Sequence, residues 1–183
     1  YEERVLPMKK FSQPTEVEAM VVFADLTRFY RVARGMGDGD LFAWMNDYFE
    51  MAGEVVEAGG GVVIKTIGDA LLLVFPAECV DSGVAALLQL QERTASWMAE
   101  RGYPCQLIVK AHFGSVVLGP IGPREGKRLD VYGQTVNNAA RLPSRGLSLS
   151  QQLFRKLSKE GRKAFKKHSP PYYYIPVSER HLD

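Results

Sequence analysis

Two aspartates stand at the ends of apolar runs: Asp25 in FADLTRFY at 23–30 and Asp69 in IKTIGD at 64–69. The neighbouring runs, MVVF at 20–23 and ALLLVF at 70–75, are apolar without alternation, as in strands covered on both faces. Carboxylates delivered from neighbouring strand ends can hold a hard divalent cation. Mg²⁺ takes one or two protein carboxylates and fills its octahedron with water and phosphate oxygens. Each aspartate also has an ordinary reading. Asp25 can make a turn or cap a helix starting at Thr27, and Gly-Asp is common at a hairpin tip. The setting favours the first reading, because in a β-α-β-β order the first strand and the hairpin can lie side by side.

A second set lies in LDVYGQTVNNAARL at 129–142. Asn137 and Arg141 are four apart, so on a helix they share a face. An amide and a planar guanidinium on one face suit a phosphate or ribose oxygen. The same residues could equally form a surface helix turn whose arginine pairs with a carboxylate. Lys65 reads either as a solvated hairpin charge or, beside a site, as a cationic donor to a base or phosphate.

The elements that must position these residues follow in order. Residues 1–16 are polar, carry Pro7 and Pro14, and read as a linker or the end of an upstream helix. Residues 17–26 form a strand ending around Asp25, and 27–34 a short helix broken by Gly35, Gly37 and Gly39. Leu41, Met45, Tyr48, Ala52 and Val55 recur at helical steps over 38–58, with Asp38 or Asp40 able to cap the start. Glycines 59–61 end that helix. Residues 62–65 and 70–75 form a hairpin around Gly68-Asp69. Pro76 opens a second long helix with Val80, Val84, Leu87, Leu88, Ala95 and Met98 inward. Residues 105–113 and 115–118 read as strands bent at Gly114, and 119–129 as a mobile basic loop. A short helix at 136–142, a strand at 147–149, one or two helices over 151–165 and a last strand at 172–177 complete the chain. The fold class is α+β, a ferredoxin-like β-α-β-β-α-β core with its helices on one face and a C-terminal α/β extension. That plan serves many functions, so the site must decide.

Length and composition bound the answer. A chain of 183 residues with 46% hydrophobic and 24% charged residues can fold as one domain with a real core. A net charge of +2 gives no case for a nucleic-acid or anionic-membrane partner. Cys79 and Cys105 have neither metal-ligand spacing nor disulfide density, which points to a reducing, cytoplasmic setting. No apolar run reaches the roughly 18 residues of a membrane span. The chain opens on Tyr1 without a leader, as a domain cut from a longer protein would, so an upstream sensor or membrane part is expected outside it.

Four stretches together resemble the catalytic domain of the class III nucleotidyl cyclases. FADLTRF is similar to the family's first metal motif and IKTIGDALLLVF to its second. AHFGSVVLGPIG is similar to its glycine-rich hairpin, and LDVYGQTVNNAARL to its Asp-x-x-Gly-x-x-Val-Asn-x-Ala-Ala-Arg block. The resemblance covers roughly residues 18–160 with the motifs in the family's order, and extends the expected domain over 17–183. It implies that Asp25, Asp69 and the carbonyl of Leu26 ligate two divalent cations, Mg²⁺ or Mn²⁺, on the nucleotide. Lys65 and Asp130 match the base-reading pair, Asn137 the ribose-orienting residue and Arg141 the transition-state arginine. Lysine and aspartate suit adenine, whereas guanylyl cyclases of the family carry a Glu/Cys pair there. The resemblance therefore implies an adenylyl cyclase acting on ATP, with sites shared across a homodimer and no nucleic-acid partner.

Three departures stand out. Arg28 occupies a position usually held by a small residue. The connection after Arg141, LPSRG, is short. The family's late triphosphate lysine has only loose candidates, Lys163, Lys166 and Lys167. Among other readings, a non-catalytic nucleotide-binding relative conflicts with the complete residue set. A diguanylate cyclase conflicts with the absence of its Gly-Gly-Asp/Glu-Glu-Phe hairpin. An RNA-binding module conflicts with strand 70–75, which lacks exposed aromatics.

Overall fold

The structure is a computed structural model and describes residues 11–170 and 172–181. The expected linker at 1–16 thus lies largely outside the described residues, and Thr15 already belongs to the first strand. That strand, β1 (Thr15–Leu26), sits mid-sheet. It pairs antiparallel with β3 (Ala70–Pro76) on one side and with β4 (Leu107–Ile121) on the other. β2 (Val62–Ile67) closes a hairpin on β3 through Gly68-Asp69, giving the core order β2-β3-β1-β4 of a ferredoxin-like sheet. Along the far side of β4, β5 (Arg128–Tyr132) pairs antiparallel with one end and β6 (Leu147–Leu149) parallel with the other. Beyond β6 the sheet continues through β8 (Tyr173–Pro176) to β7 (Phe165–His168).

The unbroken apolar run of β1 has a direct cause. Met20, Val22, Ala24 and Leu26 alternate onto one face, against α2 (Asp38–Ala58) and α3 (Val80–Glu100), and all are buried. Ala19 and Val21 face the other way, packing with Leu72, Val74, Val116 and Leu118. A strand covered on both faces has no polar side to show. The helices are therefore not all on one face. α4 (Gln134–Arg141) lies on the second face, with Ala139 fully buried there.

Two glycines allow α4 its place. Gly114 was the expected bend, but β4 runs straight through it. A Cβ at Gly114 would come within 2.5 Å of Thr135 Oγ1, so the missing side chain makes room for the helix. Thr135 Oγ1 then donates to the Ser115 carbonyl at 2.7 Å. Gly133 takes φ 147°, a backbone open to glycine, as the chain turns from β5 into α4.

Other expectations shift at their edges. Gly37, not an aspartate, is the N-cap of α2, and Asp38 and Asp40 sit in its first turn, where the helix dipole favours negative charge. Pro76 ends β3, and a 3₁₀ turn (Ala77–Cys79) precedes α3. Ala95 of α3 is exposed and Leu88 half-buried, while Leu90 and Thr94 point inward. The expected loop 119–129 is shorter, spanning residues 122–127, because Gly119–Ile121 complete β4 and Arg128–Leu129 open β5. The 151–165 segment splits into α5 (Gln151–Lys156) and α6 (Lys159–Arg162), capped by the hydroxyls of Ser150 and Ser158. Of the terminal tyrosines, Tyr173 is core and Tyr172 is exposed. Between α4 and β6 the short LPSRG link closes directly onto β4, with Val109 N–H donating to the Gly146 carbonyl at 2.7 Å. Among the described residues no helix is long and apolar enough to cross a membrane.

Leu73 is 0% exposed in the core between sheet and helices. Leu73→Ala is expected to cost about 2–5 kcal/mol, read as a lower denaturation midpoint with an unchanged slope.

Candidate active site

Asp25 is the penultimate residue of β1 and Asp69 the second residue of the β2–β3 turn. Because β1 and β3 are neighbours, the turn brings Asp69 beside Asp25, and the two carboxyls share a hydrogen bond. Burial, then the Asp25 charge and that shared bond, push the Asp69 carboxyl up to about 6. Hydrogen bonds from the backbone N–H groups of Asp69 and Leu26 pull the other way. The side chain of Leu26 is buried in the helix-side core, so only its backbone serves the site.

Local packing fixes the segment after Asp25. Thr27 N–H donates to the Gln106 carbonyl at 2.8 Å, and Gln106 N–H donates to Thr27 Oγ1 at 3.0 Å. Phe29, at the start of α1 (Phe29–Ala33), stacks on Trp44 of α2 with centroids 5.8 Å apart. Between them Arg28 is held at φ 58°, the left-handed region. A small residue, above all glycine, adopts that conformation freely, while a side chain costs roughly 1–2 kcal/mol. Below the pair, Tyr48 of α2 is fully buried, and burial raises its hydroxyl well above the ordinary phenol value. It therefore stays neutral.

Lys65 reaches its position through a bulge. The β2–β3 register skips between Val63, opposite Leu73, and Lys65, opposite Leu72. Without that irregularity Lys65 would share the helix-side face of Val63. With it, Lys65 joins Leu72 on the α4 side. There its Nζ lies 2.6 Å from Asp130 Oδ2, on β5, and 6.0 Å from the centroid of the Tyr132 ring. Asp130 Oδ1 accepts from the Val131 N–H at 2.8 Å, which fixes the carboxylate.

Lys65 borders a depression of about 460 Å³ lined also by Phe23, Leu72, Tyr132, Gln134 and Asn137, and together with Asp130 it lines a second one of about 780 Å³. Asn137 Nδ2 donates to Gln134 Oε1 at 3.4 Å. Arg141 lies in the last turn of α4, exposed. The structure thus joins Asp25 with Asp69, and Lys65 with Asp130 and Asn137. Arg141 follows Asn137 one turn along the same helix. The lysines 163, 166 and 167 lie elsewhere, around β7 at the opposite edge of the sheet from β2. Lys163 pairs with Glu160 at 2.7 Å, Lys166 donates to the Val177 carbonyl at 3.0 Å, and Lys167 sits over the Tyr172 ring. Phe23, Tyr132 and Gln134 were missed as lining residues, although each lies inside a stretch whose polar residues drew attention.

The carboxylate pair fits a divalent cation. A carboxyl whose proton affinity is raised by burial and by a neighbouring carboxyl lacks a counter-charge, and a cation would supply it. Among the described residues no group of three or more acidic, histidine or cysteine side chains converges on one point. Two carboxylates suffice where water and phosphate oxygens fill the remaining positions, as Mg²⁺ prefers.

Comparison with known proteins identifies the family. The model of the adenylate and guanylate cyclase catalytic domain matches residues 12–168. An adenylate cyclase of Glutamicibacter nicotianae is 34% identical over 131 residues, covering 72% of this chain and 29% of its own length. Adenylate cyclase 2 of Rhizobium meliloti (strain 1021) is 25% identical over 151 residues, covering 79% of this chain and 41% of its own. The chain thus spans less than half the length of these relatives. The solved adenylyl cyclase CyaB from P. aeruginosa superposes with a TM-score of 0.79 at 15% identity, over 92% of this chain and 97% of that one. The guanylate cyclase domain of RhGC from Catenaria anguillulae, in complex with GTP, gives 0.76 at 20% identity, over 88% and 98%. At such identities the likeness concerns the fold alone, and both base specificities share it.

Cation binding must displace the proton that Asp69 takes up at about pH 6. Mn²⁺ affinity, read by titration of the purified protein, is expected to be flat well above that pH. Below it the affinity should fall by up to roughly tenfold per pH unit. Asp69→Asn should remove both the affinity and its pH dependence. A pH-independent affinity through this range would contradict the paired-carboxylate site.

Proposed function

The chain belongs to the adenylate and guanylate cyclase catalytic domain family, the class III nucleotidyl cyclases, and on that premise we propose that it is an adenylyl cyclase converting ATP to 3′,5′-cyclic AMP and pyrophosphate. The observation that carries the choice of base is the 2.6 Å contact between Lys65 and Asp130. Adenine presents an acceptor at N1 and a donor at its 6-amino group. A lysine donates to the first and an aspartate accepts from the second. Guanine reverses both needs. A wrong base would leave a partly buried polar group unpaired, at about 1–3 kcal/mol each, or roughly tenfold to hundredfold in discrimination. Asp130 is the more enclosed partner, its side chain 14% exposed against 42% for Lys65. It therefore carries most of that penalty.

The remaining residues take roles around the sugar and phosphates. Asp25, Asp69 and the Leu26 carbonyl would hold two divalent cations, Mg²⁺ or Mn²⁺, which when bound activate the ribose 3′-hydroxyl and neutralise triphosphate charge. Asn137 orients the ribose so that its 3′-oxygen lies in line with the α-phosphorus. Arg141 donates to phosphate oxygens as charge develops, a contribution of about 2.7–4 kcal/mol for a fixed donor. The 3′-oxygen bonds to the α-phosphorus and pyrophosphate leaves.

We place each site across a homodimer, the carboxylates from one protomer and Lys65, Asp130, Asn137 and Arg141 from its partner. Exposed apolar side chains near these residues support association: Ile67 is 50%, Ile121 48% and Tyr132 56% exposed. An ATP substrate and two free cysteines fit a cytoplasmic setting. The greater length of the curated relatives fits an upstream sensor or membrane part that sets the dimer geometry.

Asp25→Ala and Arg141→Ala homodimers are each expected to lose at least 100-fold of cyclic AMP formation. Mixed and re-equilibrated, they should regain one working site per heterodimer. A mixture that stays inactive while heterodimers are demonstrated by mass would overturn the shared site.

A further inference from the structure

Residues 11–14 lead into β1 at the end of the strand opposite Asp25. Phe11 packs onto the apolar cluster that includes Val116, Leu118 and Val131. Thr15 Oγ1 donates to the Gln13 carbonyl at 2.9 Å, and Ser115 Oγ donates to Glu16 Oε1 at 2.6 Å, which fixes the entry into the strand. Between these anchors the backbone of Gln13 and Pro14 lies directly on Gly119 of β4. A Cβ at Gly119 would fall 2.7 Å from Pro14 Cα and 2.9 Å from its nitrogen. The entering chain thus fills the place where a side chain of β4 would stand.

Gly119 is the β4 residue paired with Asp130 of β5. Directly opposed residues of an antiparallel pair project to the same face, with Cβ positions about 4.5–5.5 Å apart. The Gln13–Pro14 backbone therefore occupies the cross-strand neighbour position of the carboxylate that meets Lys65 at 2.6 Å. Among the described residues β5 pairs with β4 and with no other strand. An edge strand held from one side follows what presses on its partner. We propose that the Gln13–Pro14 crossing is a positioning element for Asp130, so that base selection depends on how this segment seats on Gly119. The proposal rests on the cyclase reading above and names residues that reading does not use. The aspartate pair is out of its reach. At about 3.3 Å per residue, Asp25 stands roughly 36 Å along the strand from Pro14.

Two variants disturb the crossing in opposite ways. Gly119→Ala forces it away from β4, and Phe11→Ala releases its anchor. Each purified variant is compared with the wild type in three measurements. The first is hydrogen exchange at the Val131 amide, whose N–H donates to Asp130 Oδ1 at 2.8 Å. The second is the ratio of cyclic AMP to cyclic GMP formed from ATP and GTP. The third is Mn²⁺ affinity. Exchange at Val131 should quicken about tenfold and the preference for ATP should fall about tenfold. Mn²⁺ affinity should stay within about twofold, because the two places are far apart. A segment that only adds stability would lower the denaturation midpoint and both turnovers together and leave their ratio unchanged. That result would overturn the proposal, as would a loss of Mn²⁺ affinity in step with the ratio. Should Gly119→Ala fail to fold, Phe11→Ala decides alone. If the wild type prefers GTP or forms no cyclic product, the base assignment is what fails. Faster exchange at Val131, with the β1–β3 ladder amides unchanged, then still supports the positioning of Asp130, and unchanged exchange refutes it.

Discussion

Asp25 and Asp69 repel each other, and the fold holds them together. Partial burial, and then the neighbouring carboxylate, leave Asp69 with a proton affinity two pH units above the ordinary carboxyl value, 3.8 against about 6. Only a rigid frame can impose such an arrangement. Here the frame is the central strand β1 and its antiparallel neighbour β3, whose register is unbroken from Ala19–Pro76 to Ala24–Leu71. Both strands are buried on both faces, so neither aspartate can relax away without opening the core. The proton affinity that results gives the pair a standing preference for a cation.

The second half of the site depends on backbone devices rather than on burial. A bulge in β2 turns Lys65 onto the α4 side, where Asp130 meets it. Gly133 provides the turn from β5 into α4, and Gly114 gives that helix room to sit against the sheet. Asn137 and Arg141 are then set by the helix repeat alone. A strained Arg28, held between the Thr27–Gln106 bonds and the Phe29–Trp44 stack, shows how tightly the segment after Asp25 is determined.

Much of this was legible in the residue pattern. The continuous apolar runs at 20–23 and 70–75 foretold strands covered on both faces, and the helical spacing of Tyr48, Ala52 and Val55 foretold the buried face of α2. Asp25, Asp69, Lys65, Asp130, Asn137 and Arg141 were each named from their motifs. The pattern was blind to features that depend on distant neighbours. Gly114 reads as a bend in isolation, and only the approach of Thr135 explains why a straight strand lacks a side chain there. The bulge at Ile64 leaves no local mark, because Val, Ile and Lys alternate as plausibly in a regular strand. The placement of α4 on the second face was likewise hidden, since a short polar helix does not announce which face it covers.

The claim that joins these parts is that Lys65 and Asp130 select adenine for a cyclisation carried by the aspartate pair and by α4. The most direct measurement is turnover of ATP and GTP side by side by the purified dimeric protein, with Mg²⁺ and then Mn²⁺, following cyclic nucleotide and pyrophosphate together. The account predicts cyclic AMP with equimolar pyrophosphate, favoured over cyclic GMP by roughly tenfold or more. Cyclic GMP in equal or greater yield, or no cyclic product with either metal from protein shown to be dimeric, would contradict it.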